Sequence, residues 1–245
     1  MPTAVLISGG LDSAVLLAEE AHRGEVQPIY VSVGLAWEHA ERSVLSAFLA
    51  HSMLGPHVRP LVCLSVEMRD VYTATHWAVE GRPPTYHTPD EDVYIPGRNI
   101  ILLGKAGVFC AAADLDRLVL GTLGHNPFPD ATPSFRAAMA EALSLGLAHP
   151  LQIEAPYSGV GKSDIIRRGA ALAVPFELTL SCMAPIRIQK VLAPFEPLEP
   201  LEPFEPFEPF MHCGLCSKCR ERHDAFLEAR VADPTQYSDE RHVRA

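Results

Sequence analysis

The chain has 245 residues, of which 48% are hydrophobic, and it carries a formal net charge of −10 at pH 7. This length suits one α/β domain with an appendage or two small domains, and the acidic balance argues against an extended nucleic-acid-binding surface, which requires a basic face. No apolar stretch reaches the length of a membrane span, and no charged leader precedes the first apolar segment, so the sequence predicts a cytoplasmic protein.

Strand and helix patterns alternate along the chain. An apolar run at residues 4–7 predicts a buried strand, and the helix after it is expected to be capped by Asp12 or Ser13 and to end at Gly24. Residues 68–89 are less regular and are interpreted as an excursion over the active-site edge. Further strands are predicted at residues 26–33, 60–66, 117–121 and 151–155, and further helices at residues 37–53, 99–113, 132–145 and 162–173.

Two predictions concern burial. Residues 99–113 are apolar nearly all round, which predicts a fully buried helix. Cys63 and Cys110 lie in apolar segments and are therefore expected to be buried thiols of the core.

The alternation of strands and helices predicts an α/β fold with a doubly wound parallel sheet and right-handed crossovers. Ligands of such sheets bind beyond the carboxyl ends of the strands. We divide the chain into an α/β domain at residues 1–180 and a small C-terminal segment at residues 181–245.

The clearest chemical signal is the motif SGGLDS directly after the first predicted strand. Two glycines let the backbone turn sharply and approach an anion, serine hydroxyls add donors, and the next helix contributes its positive end. No Gly-Lys-Ser or Gly-Lys-Thr follows, so the motif is not a Walker loop. It resembles the signature of the PP-loop ATP-pyrophosphatases, which implies that ATP is bound by Ser8, Gly9, Gly10, Leu11, Asp12 and Ser13.

Four cysteines near the C-terminus have the spacing of a metal site. Cys213, Cys216 and Cys219 offer three ligands from one tight loop, and Cys182 supplies a fourth from a distance. Four thiolates around one ion are typical of structural zinc and leave no position for a catalytic water. An iron–sulfur cluster and redox-active thiols are the alternatives, and His212, an alternative ligand, is interpreted as a bystander.

A three-residue repeat of Pro, Phe or Leu, and Glu occupies residues 194–210. Proline at every third position is incompatible with a helix or an internal sheet ladder and favours polyproline II. The repeat is either a tandem expansion in a surface loop or a spacer and docking arm whose apolar stripe meets a partner protein.

Three more stretches extend the resemblance: VYIPGRN at residues 93–99, Phe-Pro-Asp at residues 128–130 and Gly-Lys-Ser at residues 161–163. Together with the loop and the cysteines, they make nearly the whole chain similar to the 7-cyano-7-deazaguanine synthase family of the queuosine pathway. The resemblance implies an adenine nucleotide alpha-hydrolase-like fold with a zinc-binding helical tail. It also implies that ATP activates 7-carboxy-7-deazaguanine as an acyl-adenylate, that ammonia converts the adenylate to an amide, and that further ATP yields the nitrile.

This chemistry gives individual residues expected roles. A carboxylate becomes a good electrophile only when one oxygen can leave, and Mg²⁺ with cationic side chains would neutralise the polyphosphate. Asp12 either positions magnesium or caps its helix, and Asp130 either accepts hydrogen bonds from a guanine-like base or caps the following helix. The expected catalytic residues are Asp12, Ser13, Arg98 and Lys162, and the expected substrate contacts are Arg98, Asn99, Phe128 and Asp130.

The chain also departs from the family. Residues 124–132 keep Pro-Asp but lack the family's Ser-Gly, Cys and Arg, thirty residues separate Cys182 from Cys213, and Trp37-Glu38-His39-Ala40 replaces a polar stretch. Two alternatives therefore stand beside the synthase: a homologous ligase that joins the activated acid to a different amine, including one on a protein, and a nucleotide-binding regulatory module without turnover. A homodimer is expected, and no nucleic-acid or membrane partner.

Overall fold

A five-stranded parallel sheet organises the structure, a computed structural model that describes residues 2–124, 126–188 and 208–243. All neighbouring strands of this sheet run in the same direction. The strand at Val26–Ser32 is buried at all but its last position, as expected of an interior strand covered on both faces. All five strands of the sheet overlap the segments predicted from the sequence. They are β1 (Thr3–Leu6), β2 (Val26–Ser32), β3 (Val62–Ser65), β4 (Arg117–Val119) and β5 (Gln152–Glu154).

The strand order is β3-β2-β1-β4-β5, which confirms the predicted doubly wound sheet. The chain builds outward from β1 to β3 and then returns to place β4 on the other side of β1. The sheet order therefore reverses between β1 and β4, where the loops after the two strands diverge to opposite faces and leave a crevice. The predicted phosphate-binding loop lies at this reversal point.

Helices cover both faces of the sheet. Neighbouring residues of β1 point to opposite sides, so that Ala4 packs in one apolar cluster with α4 and Val5 in another with α1, α6 and α7. Two cores separated by one sheet are the expected result of strands with apolar residues on both faces. The helices are α1 (Leu11–Arg23), α2 (Glu38–Leu49), α3 (Trp77–Glu80), α4 (Arg98–Ala112), α5 (Pro133–Leu147), α6 (Lys162–Ala171) and α7 (Ser217–Ala229).

The C-terminal segment packs on the α/β layers through α7. Phe226 is buried in the same cluster as α1 and meets the ring of Phe176 edge-on at 5.3 Å. Arg222 is fully buried, and its guanidinium donates hydrogen bonds to Phe176 O at 2.8 Å and to Thr179 Oγ1 at 2.9 Å. These contacts hold the helix that carries Cys219 against the main domain.

A two-stranded antiparallel hairpin precedes α7, formed by β6 (Ile186–Arg187) and β7 (Phe210–Met211). The predicted repeat at residues 194–210 lies outside the described residues, apart from its last three positions. Of these, Glu208 is fixed to α2, since its N–H donates to Ser43 Oγ at 2.8 Å and its carbonyl accepts from the same hydroxyl at 2.9 Å. The end of the repeat thus meets the helix that begins after β2.

Three sequence-based predictions about local structure were wrong. The first helix begins at Leu11, with Gly10 as its N-cap, so neither Asp12 nor Ser13 caps it. Helix α4 is not fully buried: Leu103 packs in the core, but Val108 on the opposite side is 52% exposed, because only one side of the helix faces the sheet. Cys63 is exposed because β3 is an edge strand with alternating burial, whereas Cys110 is buried as predicted.

In the described part of the chain, each helix is too short or too polar to span a membrane.

Helices α1 and α6 approach closely at Gly169. A Cβ atom there would lie 2.6 Å from Phe176 Cζ and 2.7 Å from Val15 Cγ2, both too close for a real contact. The glycine therefore allows the contact between these two helices, whose first turns carry Asp12 and Lys162.

We predict that Gly169→Ala lowers the free energy of unfolding by about 1–3 kcal/mol through overpacking. Gly146→Ala is the matched control, since Gly146 is also helical but has open space around it, and alanine there should stabilise the helix by about 0.5–1 kcal/mol. Urea denaturation of both variants measures the difference. Equal effects of the two substitutions would contradict close packing at Gly169.

Candidate active site

The loop between β1 and α1 turns at Gly9, which has a left-handed φ of 75°. A Cβ at this position would lie 3.1 Å from the carbonyl oxygen of Glu41 on α2, so glycine satisfies both the conformation and the space. The Gly9 carbonyl accepts a hydrogen bond from Leu180 N at 2.8 Å. The turn is therefore held from two sides, by α2 and by the segment that leads to Cys182.

The first helical hydrogen bond of α1 runs from Ala14 N to Gly10 O at 3.0 Å. The N–H groups of the three preceding helical residues are left for other acceptors, and the positive end of the helix dipole points the same way. Ser13 Oγ donates to Gly10 O at 3.0 Å and lies 3.5 Å from Ser8 Oγ. The arrangement of donors therefore fits an anionic oxygen group.

Two adjoining cavities open at this loop, with volumes of about 260 and 420 Å³. We call them the smaller and the larger chamber. Both are lined by Ser8, Gly10, Asp12 and Arg98. The larger chamber continues toward α6, α7 and a pair of stacked tryptophans, Trp37 and Trp77, whose rings lie 5.9 Å apart. The smaller chamber continues toward Asn99 and Asp130, and Phe128 lines both chambers.

Lys162 lies at the first position of α6 and faces the loop. Its Nζ donates to Asp12 Oδ2 at 3.0 Å and to Glu221 Oε1 at 2.6 Å. Burial alone would lower the pKa of Lys162, but the two carboxylates outweigh burial and raise that pKa above its ordinary value. Although burial acts in the opposite direction, the cations Lys162 and Lys218 lower the pKa of Glu221 to about 2. The lysine is therefore a fixed positive charge beside the anion-binding loop.

Asp12 also presents an acceptor to the chambers. Its Oδ1 is buried and, within the described part of the chain, has no hydrogen-bond partner. A buried carboxylate oxygen without a partner is costly unless an ion or donor meets it. The geometry thus fits a ligand for a hard cation such as Mg²⁺.

Arg98, at the first position of α4, borders both chambers. Its Nε is buried without a hydrogen-bond partner among the described residues. Glu41 lies on the same side of the site and accepts a hydrogen bond from Tyr30 Oη at 2.9 Å. Burial raises the pKa of Glu41 to about 7, although the charge of Arg98 opposes the shift. Arg98 therefore offers an unsatisfied donor at the junction of the chambers.

The smaller chamber combines an aromatic stack with an amide and a carboxyl group. Phe128 stacks on Tyr94 with ring centroids 5.0 Å apart. Asp130 is buried, and its Oδ2 accepts from the backbone N–H of Asn99 at 3.1 Å. The Asn99 Nδ2 group donates to Asp130 O at 3.1 Å. Asp130 therefore binds the start of α4, while Thr132 caps α5 by accepting from Phe135 N.

The four predicted metal ligands come together in the C-terminal segment. Cys182, Cys213, Cys216 and Cys219 are all buried, and their sulfur atoms lie within 4.8 Å of one another. The distances are 3.8 Å between Cys213 and Cys219, 3.5 Å between Cys216 and Cys219, and 4.0 Å between Cys216 and Cys182. Tetrahedral zinc with bonds of about 2.3 Å separates its sulfurs by about 3.8 Å. The donor set therefore fits the ion, while His212 accepts from Ser181 N instead.

Several residues of this region were not predicted from the sequence. Lys218 lies between the last two cysteines and Glu221 lies two residues after the last one, and only the contact between α7 and α6 brings them to the loop. Gly121, after β4, permits an equally close approach, since a Cβ there would lie 3.2 Å from Ser13 N. A glycine directly after a strand was the available signal for Gly121, whereas no local pattern distinguishes Glu221.

The raised pKa of Glu41 predicts a pH-dependent stability. The folded protein retains a proton that the unfolded chain releases between pH 4.5 and about 7, so the contribution of Glu41 to stability is present below pH 4.5 and is lost as the pH rises through about 7. Glu41→Gln removes the titration and keeps an acceptor for Tyr30. Its free energy of unfolding, relative to the unsubstituted protein, should rise by up to about 3 kcal/mol between pH 5 and pH 8.

Urea denaturation at both pH values measures this change. Glu67→Gln is the control, because Glu67 is exposed and Arg69 lowers its pKa to about 2, below the range tested. A Glu41→Gln variant with the same pH dependence as the unsubstituted protein would rule out a raised pKa at this carboxyl.

Sequence comparisons with known proteins cover almost the entire chain. Among solved structures, the U34-tRNA thiolase NcsA from Methanococcus maripaludis gives a TM-score of 0.41 at 15% identity, over 71% of this chain and 58% of that chain, and we conclude nothing from it. A 7-cyano-7-deazaguanine synthase from Anaeromyxobacter dehalogenans (strain 2CP-C) is 30% identical over 96% of this chain and 94% of its own length. Another, from Azoarcus sp. (strain BH72), is 29% identical over 95% of both chains. The family of the queuosine biosynthesis protein QueC matches residues 3–230, and the chain belongs to that family.

Proposed function

We propose that the protein activates a carboxylic acid as an adenylate with ATP, and that the acid is 7-carboxy-7-deazaguanine, which ammonia and further ATP convert to the nitrile. The observation that carries the proposal is the pair of chambers that meet at one anion-binding loop. One chamber suits a polyphosphate and the other a planar polar ring. The relatives named as 7-cyano-7-deazaguanine synthases support this choice of substrate.

The loop and its cations would hold the polyphosphate. The backbone N–H groups at the start of α1 and the hydroxyls of Ser8 and Ser13 supply donors, and Lys162 supplies a positive charge. Donors that are fixed before the reaction stabilise charge that develops on a leaving pyrophosphate without the cost of reorientation. Arg98 has a free Nε at the junction of the chambers, where the substrate carboxylate would meet the α-phosphate.

Magnesium would be held by Asp12 together with oxygens of the polyphosphate. The partnerless Oδ1 of Asp12 supports this role, because it gives the ion a carboxylate ligand beside the loop. When bound, the ion neutralises charge on the polyphosphate.

The smaller chamber would hold the deazaguanine ring. Phe128 offers an aromatic face, and Asn99 and Asp130 offer polar groups at its edge. Aromatic stacking with polar groups at the edge is the usual way to bind a planar base. Burial raises the pKa of Asp130 despite its hydrogen bonds from Asn99, so this carboxyl holds a proton more readily than usual.

A second candidate is a ligase that activates a 7-deazaguanine carboxylate or another small acid, joins it to a different amine, including one on a protein, and stops at the amide. The engagement of Asp130 with Asn99 favours another acid, because it leaves this carboxylate less able to bind a base edge than a free one. The homodimer, free ammonia and cytoplasmic location expected from the sequence stay predictions.

A single reaction separates the candidates. With ATP, Mg²⁺, 7-carboxy-7-deazaguanine and ammonium, we expect mass spectrometry to detect the nitrile together with AMP and pyrophosphate. Ser8→Ala should slow pyrophosphate release by about 100-fold, because a fixed donor to the developing charge is lost. Ser46→Ala, on the outer part of α2, is the matched control. An amide or adenylate as the final product would favour the second candidate, and no ATP consumption with any acid would refute both.

We also propose that the four cysteines hold zinc. A zinc ion with four thiolates carries a net charge of about −2, which would compensate the buried charge of Arg222, whose hydrogen bonds to the described residues go to neutral oxygens. Metal analysis should find about one zinc per chain. Cys219→Ser should lose the ion and lower the melting temperature, whereas Cys63→Ser, at an exposed cysteine outside the cluster, should keep it. Bound iron, or a stable chain free of metal, would overturn the zinc assignment.

A further inference from the structure

Four charged side chains form a continuous series between α1 and α7. Lys162 Nζ contacts Asp12 Oδ2 at 3.0 Å and Glu221 Oε1 at 2.6 Å. The second oxygen of Glu221, Oε2, accepts from Lys218 Nζ at 2.5 Å. Positive and negative groups alternate, so each carboxylate has a cation beside it. All four side chains line the larger chamber.

The cysteine cluster determines where two of these groups lie. Cys216 is the N-cap of α7, and Cys219 lies in its first turn. Lys218 stands between these two cysteines, and Glu221 follows two residues after the second. A metal held by both cysteines would fix this turn, and with it the carboxylate that meets Lys162.

Two carboxylates hold Lys162, and they differ in what else they can bind. An ammonium group has three N–H donors, and Asp12 and Glu221 take two of them, which leaves one for an oxygen in the chamber. Under the proposed function, Asp12 also serves the magnesium ion. Glu221 has no such second duty, so it can keep the ammonium in place when nucleotide and metal ion occupy the chamber.

Burial distinguishes this series from an ordinary surface ion pair. Exposed pairs contribute little because water and salt screen them and long side chains lose freedom. Here the side chains of Lys162, Glu221 and Asp12 are only 14%, 21% and 23% exposed. Loss of one carboxylate would therefore leave the partly buried ammonium with a single partner and free it to change position.

We propose that Glu221 is a positioning residue: it holds the Lys162 ammonium at the nucleotide site, and through it ATP binding depends on the metal-bearing C-terminal segment. The proposal rests on the proposed function in two respects, namely that the larger chamber receives the polyphosphate of ATP and that the four cysteines hold a metal ion. It gives the cysteine cluster a role in nucleotide binding.

The test is a double-mutant cycle on nucleotide affinity. Calorimetry measures the dissociation constant of α,β-methylene-ATP with Mg²⁺ for the full chain and for Glu221→Ala, Lys162→Met and the double variant. We expect Glu221→Ala to weaken binding about tenfold and to add no further loss when Lys162 is already Met. Glu221→Gln, which keeps an acceptor for Lys162, should recover most of the affinity.

The matched control is Glu228→Ala, an exposed carboxylate on the same helix, which should bind like the unsubstituted protein. Melting temperatures and metal content of all variants establish that the fold and the cluster are intact. The proposal would be overturned if Glu221→Ala weakened nucleotide binding equally in the unsubstituted protein and in Lys162→Met. It would also be overturned if Glu221→Ala left the nucleotide affinity unchanged. If the unsubstituted protein does not bind the nucleotide, the proposed function and the role of Glu221 both fail. This outcome is distinguishable from equal losses and from unchanged affinity, which overturn only the role of Glu221.

Removal of the metal provides a second measurement. Chelation should weaken nucleotide binding in the unsubstituted protein about as much as Glu221→Ala does, and it should have little effect on the Glu221→Ala variant. The fluorescence of Trp37 and Trp77, the two tryptophans of the chain, reports occupancy of the chamber independently of turnover. Similar losses on chelation in both proteins would contradict transmission through Glu221.

Discussion

The absence of side chains at Gly9 and Gly121 is the constraint on which the site depends. It lets the loop before α1 lie within van der Waals distance of α2 and the first turn of α1 within van der Waals distance of the end of β4. Because β1 lies between β2 and β4, the same turn faces the crevice where the sheet order reverses. The unpaired N–H groups of α1, the carboxylate of Asp12 and the ammonium of Lys162 all meet there. A methyl group at either glycine would separate these elements.

The site holds several cations at fixed positions, although the chain as a whole is acidic. The protein is acidic, with a formal net charge of −10, yet the chambers contain Arg98, Lys162 and Lys218. The two lysines are paired with carboxylates, which lets them be partly buried without a large desolvation cost. Among the described residues, Arg98 Nε has no hydrogen-bond partner. The carboxyl groups of Asp12, Glu41, Asp90 and Glu221 line the larger chamber beside these cations, so an anionic ligand would meet positive groups at fixed positions and not a net cationic surface.

Sequence patterns predicted those features that local chemistry determines. The apolar runs located all five strands of the parallel sheet, and the cysteine spacing identified four cysteines whose sulfur atoms the fold brings within 4.8 Å of one another. Glu221 could not be predicted, because its role depends on the packing of α7 against α6, which no short pattern encodes. The burial of α4 was overestimated for a related reason. Apolar residues on all sides of a helix do not predict on how many sides other elements of the fold pack against it. The cap of α1 was misplaced by two or three residues, because the helix begins directly after the turn through Gly9 and Gly10.

The pairing of β6 with β7 has a consequence for how the length of the segment between them can evolve. The paired strands, together with the contact of Glu208 with Ser43, fix both ends of the segment between them next to the cysteine cluster. In general, each doubling of the length of a closed loop adds only about 0.6 kcal/mol of closure entropy. Tandem units could therefore be gained or lost between Cys182 and Cys213 with little effect on the geometry of the four sulfurs. The paired strands thus separate a segment whose length can change from a cysteine cluster whose geometry is fixed.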